Sequence, residues 1–225
     1  MELDRLAFTF FNAEIAREYW PDIAKGFFVT LQLGLATIAA GLALGLALAM
    51  ARSFQMRVVN WTIVLFADVL RALPPLMVII IFFFAFPYAG MPMNAFTATW
   101  LSLSLVLAAF SEEIFWAGIV SIPKGQYEAA RSTGMSAWQT LLNVILPQAV
   151  RLTIPPLTNR TIAITKGTAL GSVVALAEIL GSAHSASSLA GNPTPLTLGA
   201  IAYLLLFIPF VLFGRWVETR FAWKR

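Results

Sequence analysis

Several charged residues stand inside stretches of this sequence that are otherwise apolar enough to cross a membrane. They are Asp68, Arg71, Glu112, Glu113, Arg160, Lys166 and Glu178. A charge is costly in hydrocarbon, so such residues face the inside of a helix bundle, pair with one another or line a water-filled path. Two kinds of chemistry fit this set. An acidic pair could transfer protons, or carboxylates and basic groups could bind the two ends of a small zwitterion.

The adjacent acids Glu112 and Glu113 do not fit acid–base catalysis. Neighbouring residues on a helix point about 100° apart, because the helix has 3.6 residues per turn, so the two cannot face one substrate together. The sequence has no cysteine and one histidine, His184, so we predict no disulfide, no metal site and no catalytic residue. A GxxxxGK[ST] phosphate loop is missing as well, so we expect no ATP binding by that route.

The composition indicates an all-α integral membrane protein. Of 225 residues, 59% are hydrophobic and 12% are charged, and the mean hydropathy is +0.80. Soluble domains carry about 25% charged residues to cover their surface. The net charge of +4 does not indicate nucleic-acid binding, because no basic patch is interleaved with aromatic residues. We therefore expect membrane lipid, and no nucleic acid, around the chain.

Five membrane spans are predicted in a single transmembrane domain over residues 1–225. They cover approximately residues 26–51, 61–86, 95–120, 153–181 and 196–214. Each reaches the length of about 17–25 residues that a membrane-spanning helix needs. Residues 1–25 lack the basic start of a signal peptide and are predicted to form an interfacial segment. Residues 87–94 and 181–195 are predicted to be loops.

The distribution of basic residues predicts the orientation. The loops on one side of the membrane hold no Lys or Arg. The loops and the tail on the other side hold the following basic residues: Arg52, Arg57, Lys124, Arg131, Arg151, Arg215, Arg220, Lys224 and Arg225. By the positive-inside rule, the C-terminus and the loop between the third and fourth spans are cytoplasmic, and the N-terminus is outside.

This cytoplasmic loop, residues 121–148, is polar enough to lie in water and is patterned as two short helices. Ser121 is predicted to cap the first helix, with Pro123 in its first turn. Glu128 lies three or four residues from both Lys124 and Arg131, which predicts ion pairs on one face of this helix.

The second half of the loop has equally specific local signals. Gly134 is predicted to stop the first helix in a left-handed conformation. Ser136 and Gln139 then fit a capping box that starts the second helix. An apolar stripe follows at helical spacing and is predicted to end near Leu146, before Pro147: Trp138, Leu141, Leu142 and Ile145.

Seven residues of this loop resemble the cytoplasmic loop of importer-type ABC transporter permeases, position by position. They are Glu128, Ala129, Ala130, Gly134, Ile145, Leu146 and Pro147. The wider phrase IPKGQYEAA over 122–130 is similar to that of the polar amino acid permease subfamily. The resemblance implies that these seven residues form a coupling helix that docks on an ATPase subunit.

The resemblance also implies an assembly and a mechanism. A second permease subunit, identical or paralogous, completes the pore in the cytoplasmic (inner) membrane, and a dimer of cytoplasmic ATPases binds ATP and Mg. An extracytoplasmic solute-binding protein delivers a small polar solute, which alternating access carries across. This multi-pass chain itself would hold no cofactor.

The likeness extends into the spans, with departures. Phrases 70–76 (LRALPPL), 112–119 (EEIFWAGI) and 165–170 (TKGTAL) resemble family patterns, but Glu112 stands where a small residue is common and Trp116 where arginine is common. Candidate solute-pathway residues are Arg71, Glu112, Glu113, Asn159 and Lys166. We expect Glu112 to face the cavity and Glu113 to be the structural partner of a buried base, for example Arg71.

Two alternatives from other classes stay open at this point. An ion-coupled secondary carrier could use the intramembrane carboxylates as relays, and it would transport without any ATPase. The intramembrane charges could also form a static network in a membrane assembly subunit that transports nothing.

Overall fold

The computed structural model of the chain describes residues 2–221, and every regular element in that range is helical. The basic residues Lys224 and Arg225 lie outside the described residues. The helices are α1 (Glu2–Phe10), α2 (Ala13–Ser53), α3 (Arg57–Ala72), α4 (Pro75–Ile80), α5 (Ala95–Ser121), α6 (Lys124–Ser132), α7 (Ala137–Thr140), α8 (Leu146–Lys166), α9 (Ile179–Ala190) and α10 (Thr194–Phe221). Wide π turns cover Ile81–Ala85 and Leu141–Ile145, and 3-10 turns cover Phe86–Ala89 and Gly167–Val174.

Between three and five of these elements can cross a membrane. The helical stretch ending in α2, together with α5 and α10, is long and apolar enough to cross alone. Two further candidates are bent pairs: Arg57–Ala72 with Pro75–Ala89, at 104°, and Ala137–Val174 with Ile179–Ala190, at 42°. An all-helical, multi-span membrane architecture is therefore confirmed, and five spans result if each bent pair counts as one.

Both bends have a local cause. Leu73 precedes the Pro74–Pro75 pair and is extended, with ψ 135°, because the proline ring disfavours helix in the residue before it. Pro75 then occupies the first position of α4, where its missing N–H is tolerated. In the second pair, Ala175 adopts a left-handed conformation with φ 58°, and Glu178 caps the start of α9.

The prediction that residues 181–195 form a loop is wrong, because most of this segment belongs to α9. Its Ser- and Gly-rich composition suggested a loop, but small residues also allow close helix packing. Ile179, Ala183 and Ala186 are buried along one face of this helix. At the other end of the chain, residues 13–25 continue into the first span as one helix, with Pro21 inside it.

The described residues pack as two units, each with its own core. Unit 1 comprises 2–37, Pro75–Leu103 and Thr165–Leu212, and unit 2 comprises Ile38–Pro74, Ser104–Ile164 and 213–221. The core of unit 1 includes Ile23, Ile179, Ala183, Ala202 and Leu206, and that of unit 2 includes Ala49, Phe115 and Leu157.

Within unit 2, α2 approaches α5 so closely that only glycine fits at one position. A Cβ added to Gly45 would lie 2.6 Å from the Cβ of Ser111 and 2.9 Å from the carbonyl oxygen of Ala108. Glu112 directly follows Ser111 on α5, and Arg52 lies in the last turn of α2, so this close approach brings the two helices together beside both charged residues.

Candidate functional site

The polar loop folds into two short helices separated by Gly134, which confirms that prediction. Gly134 has φ 87°. Its N–H bonds to the carbonyl of Arg131 at 3.1 Å, and the N–H of Met135 bonds to that of Ala130 at 3.4 Å. This pair of bonds is the Schellman arrangement that closes a helix on a left-handed residue.

The capping box at the start of α7 is also confirmed. The Ser136 hydroxyl oxygen accepts from the Gln139 backbone N–H at 3.2 Å, and the Gln139 side-chain oxygen accepts from the Ser136 N–H at 2.8 Å. Both bonds satisfy donors that the first turn of a helix leaves free. The turn between α6 and α7 is thus fixed on both sides.

Three predicted details of α6 are wrong. Pro123 precedes the helix, and the Ser121 hydroxyl donates to the Gly118 carbonyl at the end of α5, at 2.7 Å, instead of capping α6. Glu128 forms no ion pair with any described residue, because the Arg131 guanidinium donates to the Met135 carbonyl instead. Glu128 is left exposed and available to a partner.

The helical run does not end near Leu146, as the proline had suggested, but continues through Pro147 into α8. The preceding π turn makes this possible, because there the Leu146 N–H reaches back five residues to the Leu141 carbonyl. Such a turn changes the bonding pattern where proline lacks an N–H. The loop is therefore continuous with the membrane helix that follows it.

The seven residues predicted to dock divide into an outer and an inner set. Glu128, Ala129, Gly134 and Pro147 are exposed, and Leu146 is partly buried. Ala130 and Ile145 are buried at 7% and 6% exposure and form the inner set.

A cluster of charged residues lies where α3, α5 and α8 meet inside unit 2. We call it the α3–α5–α8 cluster, and it comprises Asp68, Arg71, Phe110, Glu113 and Arg160. The Arg71 guanidinium contacts the Glu113 carboxylate at 2.5 Å and lies 3.6 Å from that of Asp68. The predicted pairing of Glu113 with Arg71 is confirmed, and the Glu113 side chain remains 49% exposed.

Phe110 holds two guanidinium groups in this cluster. The Arg160 guanidinium lies over the Phe110 ring, 2.9 Å from its centre, and that of Arg71 lies 5.7 Å from the same centre. Arg160 forms no ion pair with a described residue, and its Nε is buried without a hydrogen-bond partner. The cluster thus has two acids and two bases, and the guanidinium of one base, Arg160, forms no ion pair with a carboxylate of the described residues.

Glu112 is not directed to a cavity, and the expectation that it would be is wrong. Its side chain is 0% exposed, and both carboxylate oxygens accept from Arg52 Nη1, at 3.0 and 3.3 Å. This carboxylate is buried between α2 and α5, where it pairs with Arg52. Glu112 is therefore a fully enclosed partner of a base, while Glu113 pairs with Arg71 as expected and stays half-exposed.

Asn159 and Lys166 are both exposed, and neither forms a side-chain hydrogen bond or ion pair with a described residue. Asn159 directly precedes Arg160 on α8. Lys166 ends α8 and belongs to unit 1, whereas the α3–α5–α8 cluster belongs to unit 2.

A second buried carboxylate, Glu178, has a structural environment that the sequence did not predict. One of its oxygens accepts from the Gly181 N–H at 2.7 Å, and the other from the Tyr203 hydroxyl at 2.6 Å. The Ile179 N–H bonds to the Thr30 hydroxyl oxygen at 3.1 Å. These bonds hold the start of α9 between α2 and α10, and the left-handed Ala175 just before it gave no signal in the sequence.

Comparison with known proteins gives one family and many relatives. Residues 41–223 match the family described as binding-protein-dependent transport system inner membrane component. The probable amino-acid ABC transporter permease protein YckA of Bacillus subtilis (strain 168) is 36% identical over 170 residues, which are 76% of this chain and 75% of that protein. The probable glutamine ABC transporter permease protein GlnM of the same organism is 34% identical over 211 residues, covering 93% of this chain and 97% of that one.

Solved structures share the fold. One, described as the crystal structure of an amino acid ABC transporter with histidines, superposes with a TM-score of 0.80 at 28% identity, over 90% of this chain and 95% of that chain. An inward-facing MetNI methionine ABC transporter superposes with a TM-score of 0.64 over 93% of this chain and 96% of that one. At 19% identity, the second similarity concerns the fold alone.

Proposed function

The chain belongs to the family of binding-protein-dependent transport system inner membrane components, and we propose that it carries polar amino acids or related small zwitterionic solutes. It is a multi-pass protein of the inner membrane and the membrane subunit of an ABC importer. Members of this family are transport components and not enzymes. The proposal concerns the solute, the orientation, the partners and the residues that act.

The orientation that we propose has five spans, with the N-terminus outside and the C-terminus cytoplasmic. Counting each bent pair as one span gives this number. The basic residues then gather on the cytoplasmic side, as the positive-inside rule requires. We treat residues 1–225 as one permease domain, because α2, α5 and α10 each contribute residues to both packing units.

We assign ATPase docking to the coupling loop, residues 121–148. The outer set of the seven docking residues offers a compact surface with one free carboxylate, that of Glu128. The Schellman turn and the capping box keep the shape of this surface. The partner ATPase dimer would bind ATP and Mg, and this chain would hold no cofactor. A second permease subunit, identical or paralogous, would complete the pathway, and an extracytoplasmic binding protein would supply the solute.

The α3–α5–α8 cluster is the part of the solute pathway that this chain contributes in our proposal. The observation that carries it is the combination of a half-exposed carboxylate, Glu113, with a guanidinium, Arg160, that meets no carboxylate. An ammonium group fits the first and a carboxylate the second. Relatives named for glutamine, cystine and arginine transport support an amino acid as the solute.

The experiment that tests docking is a comparison of two glycines with the same backbone constraint. Gly134 and Gly90 have φ of 87° and 77°, and neither has an atom within 4 Å of an added Cβ. Valine is strained at both, because β-branched side chains disfavour positive φ. We expect Gly134→Val to lose ATPase subunits or solute-stimulated ATP hydrolysis in purified complex, and Gly90→Val to keep both. Equal behaviour of the two variants would contradict docking by this loop.

A further inference from the structure

The turn between α2 and α3 connects to two other parts of unit 2. Phe54 and Gln55 form the turn, and their N–H groups bond to the carbonyls of Ala51 and Arg52 at 3.3 and 3.1 Å. Gln55 has φ 55°, a left-handed conformation that is uncommon for residues other than glycine and typical of tight turns. The backbone therefore holds Arg52 and Phe54 at a fixed separation.

Arg52 attaches this turn to α5. Its guanidinium meets both oxygens of the buried Glu112 and lies 4.7 Å from the centre of the Trp116 ring. Glu112 and Trp116 are four residues apart and so lie on one face of α5. Within the phrase 112–119 both positions depart from the common family pattern, and both side chains contact the same guanidinium.

Phe54 attaches the other side of the turn to the coupling loop. Its ring stacks on that of Trp138, with centres 5.8 Å apart and planes 21° from parallel. Trp138 is the second residue of α7 and lies inside the capping box, between Ser136 and Gln139. The two residues remain 42% and 48% exposed, so this contact can be altered without opening a core.

We propose that this connection, from Trp138 through Phe54 and Arg52 to Glu112, transmits movement of the coupling loop to the solute pathway, an inference that rests on the proposed function. Glu113 follows Glu112 on α5 and contacts Arg71, so a displacement of α5 moves both acids at once. The ion pair is buried and costly to break, so the turn and α5 move together. Arg52 is a positioning residue in this scheme, because it touches neither solute nor ATPase.

The test is a double-mutant cycle on the stack in the whole importer, reconstituted with its ATPases and binding protein. Phe54→Leu and Trp138→Leu keep an apolar side chain but remove the stacking. The readout is the ratio of ATP hydrolysis with solute-loaded binding protein to hydrolysis without it. We expect each single variant to lower this ratio about 2- to 30-fold. The double variant should lower it no further, because both changes break the same contact.

Two further variants separate transmission from a merely structural role. Phe54→Tyr keeps a stacking ring and should restore the wild-type ratio. Trp61→Leu removes a tryptophan of unit 2 that is 70% exposed and should leave the ratio unchanged. Arg52→Lys keeps the charge beside Glu112 but loses the planar contacts, so the complex should assemble with a lowered ratio.

Several results would overturn this connection. These are wild-type ratios in the two single leucine variants, effects that multiply in the double variant, or loss of ATPase subunits from Phe54→Leu, which would make the stack an assembly contact. The wild-type complex is measured beside them. If the wild-type complex shows no ATP-driven uptake, the proposed function itself fails. If the wild-type complex transports normally and the variants have the wild-type ratio, only the proposed connection fails.

Discussion

The ion pair between Arg52 and Glu112 is the contact whose removal we expect to destabilise unit 2 most. Glu112→Gln keeps the shape of the side chain and removes its charge. The carboxylate is 0% exposed and the Arg52 side chain 20% exposed, so the guanidinium would lose its counter-charge in a site that water barely reaches. Breaking one partner of a buried pair costs about 3–5 kcal/mol.

The chain offers a matched control of equal length and different burial. Lys25 and Asp22 also form an ion pair at 3.0 Å, but their side chains are 78% and 56% exposed. Removing an exposed pair costs about 0–1 kcal/mol, because water and salt screen the charges. Asp22→Asn breaks an ion pair of the same length at the exposed surface, and so provides the comparison for the buried pair.

Thermal unfolding of the purified protein measures this difference. For a chain of this size, each kcal/mol shifts Tm by about 2–4 °C, which predicts a fall of about 6–20 °C for Glu112→Gln. The same conversion predicts less than about 4 °C for Asp22→Asn. The double change Arg52→Met with Glu112→Leu should recover most of the loss, because apolar residues of similar volume replace a buried pair without penalty. A fall for Glu112→Gln no larger than that of Asp22→Asn would refute this reasoning.

Three other predictions follow from the same structure. In this cysteine-free chain, an impermeant thiol reagent should label Met91→Cys on intact cells but not Gln126→Cys, and the opposite pattern would refute the orientation. Gly45→Ala should lower Tm and complex yield, because its Cβ would lie 2.6 Å from the Cβ of Ser111. Gly125→Ala has open space around its Cβ and should leave the free energy of unfolding unchanged or raise it by up to about 1 kcal/mol. Equal effects of the two variants would contradict the close approach of α2 and α5. Arg160→Gln should raise the half-saturating concentration of an amino acid about 10- to 100-fold without loss of assembly, and an unchanged value in an uptake assay would exclude Arg160 from the pathway.

Local signals in the sequence predicted local structure well. The capping box of Ser136 and Gln139 and the left-handed Gly134 depend only on a few neighbouring residues, and both are confirmed. The third predicted span, 95–120, corresponds to α5 at Ala95–Ser121. These features need no knowledge of tertiary packing.

Partners across the fold were harder to predict. Glu112 was expected to face a cavity, because nothing in the sequence shows that Arg52, sixty positions away, ends beside it. The signal available was that a buried acid needs a base at the same depth, and the last turn of α2 supplies one. Helix α9 was missed because its Ser- and Gly-rich composition also suits a loop. Its capping depends on Glu178, whose role becomes visible only with Tyr203 and Gly181 in place.

In the mechanism that we propose, this chain moves a polar amino acid only when its partner subunits hydrolyse ATP. The direct measurement is uptake of labelled amino acids into proteoliposomes that hold the reconstituted importer, with solute-binding protein outside and ATP with Mg inside. We predict that uptake requires both ATP and the binding protein. Unlabelled amino acids with free ammonium and carboxylate groups should reduce the uptake of the labelled ones by competition. Uptake driven by a proton or sodium gradient without ATP would contradict the account.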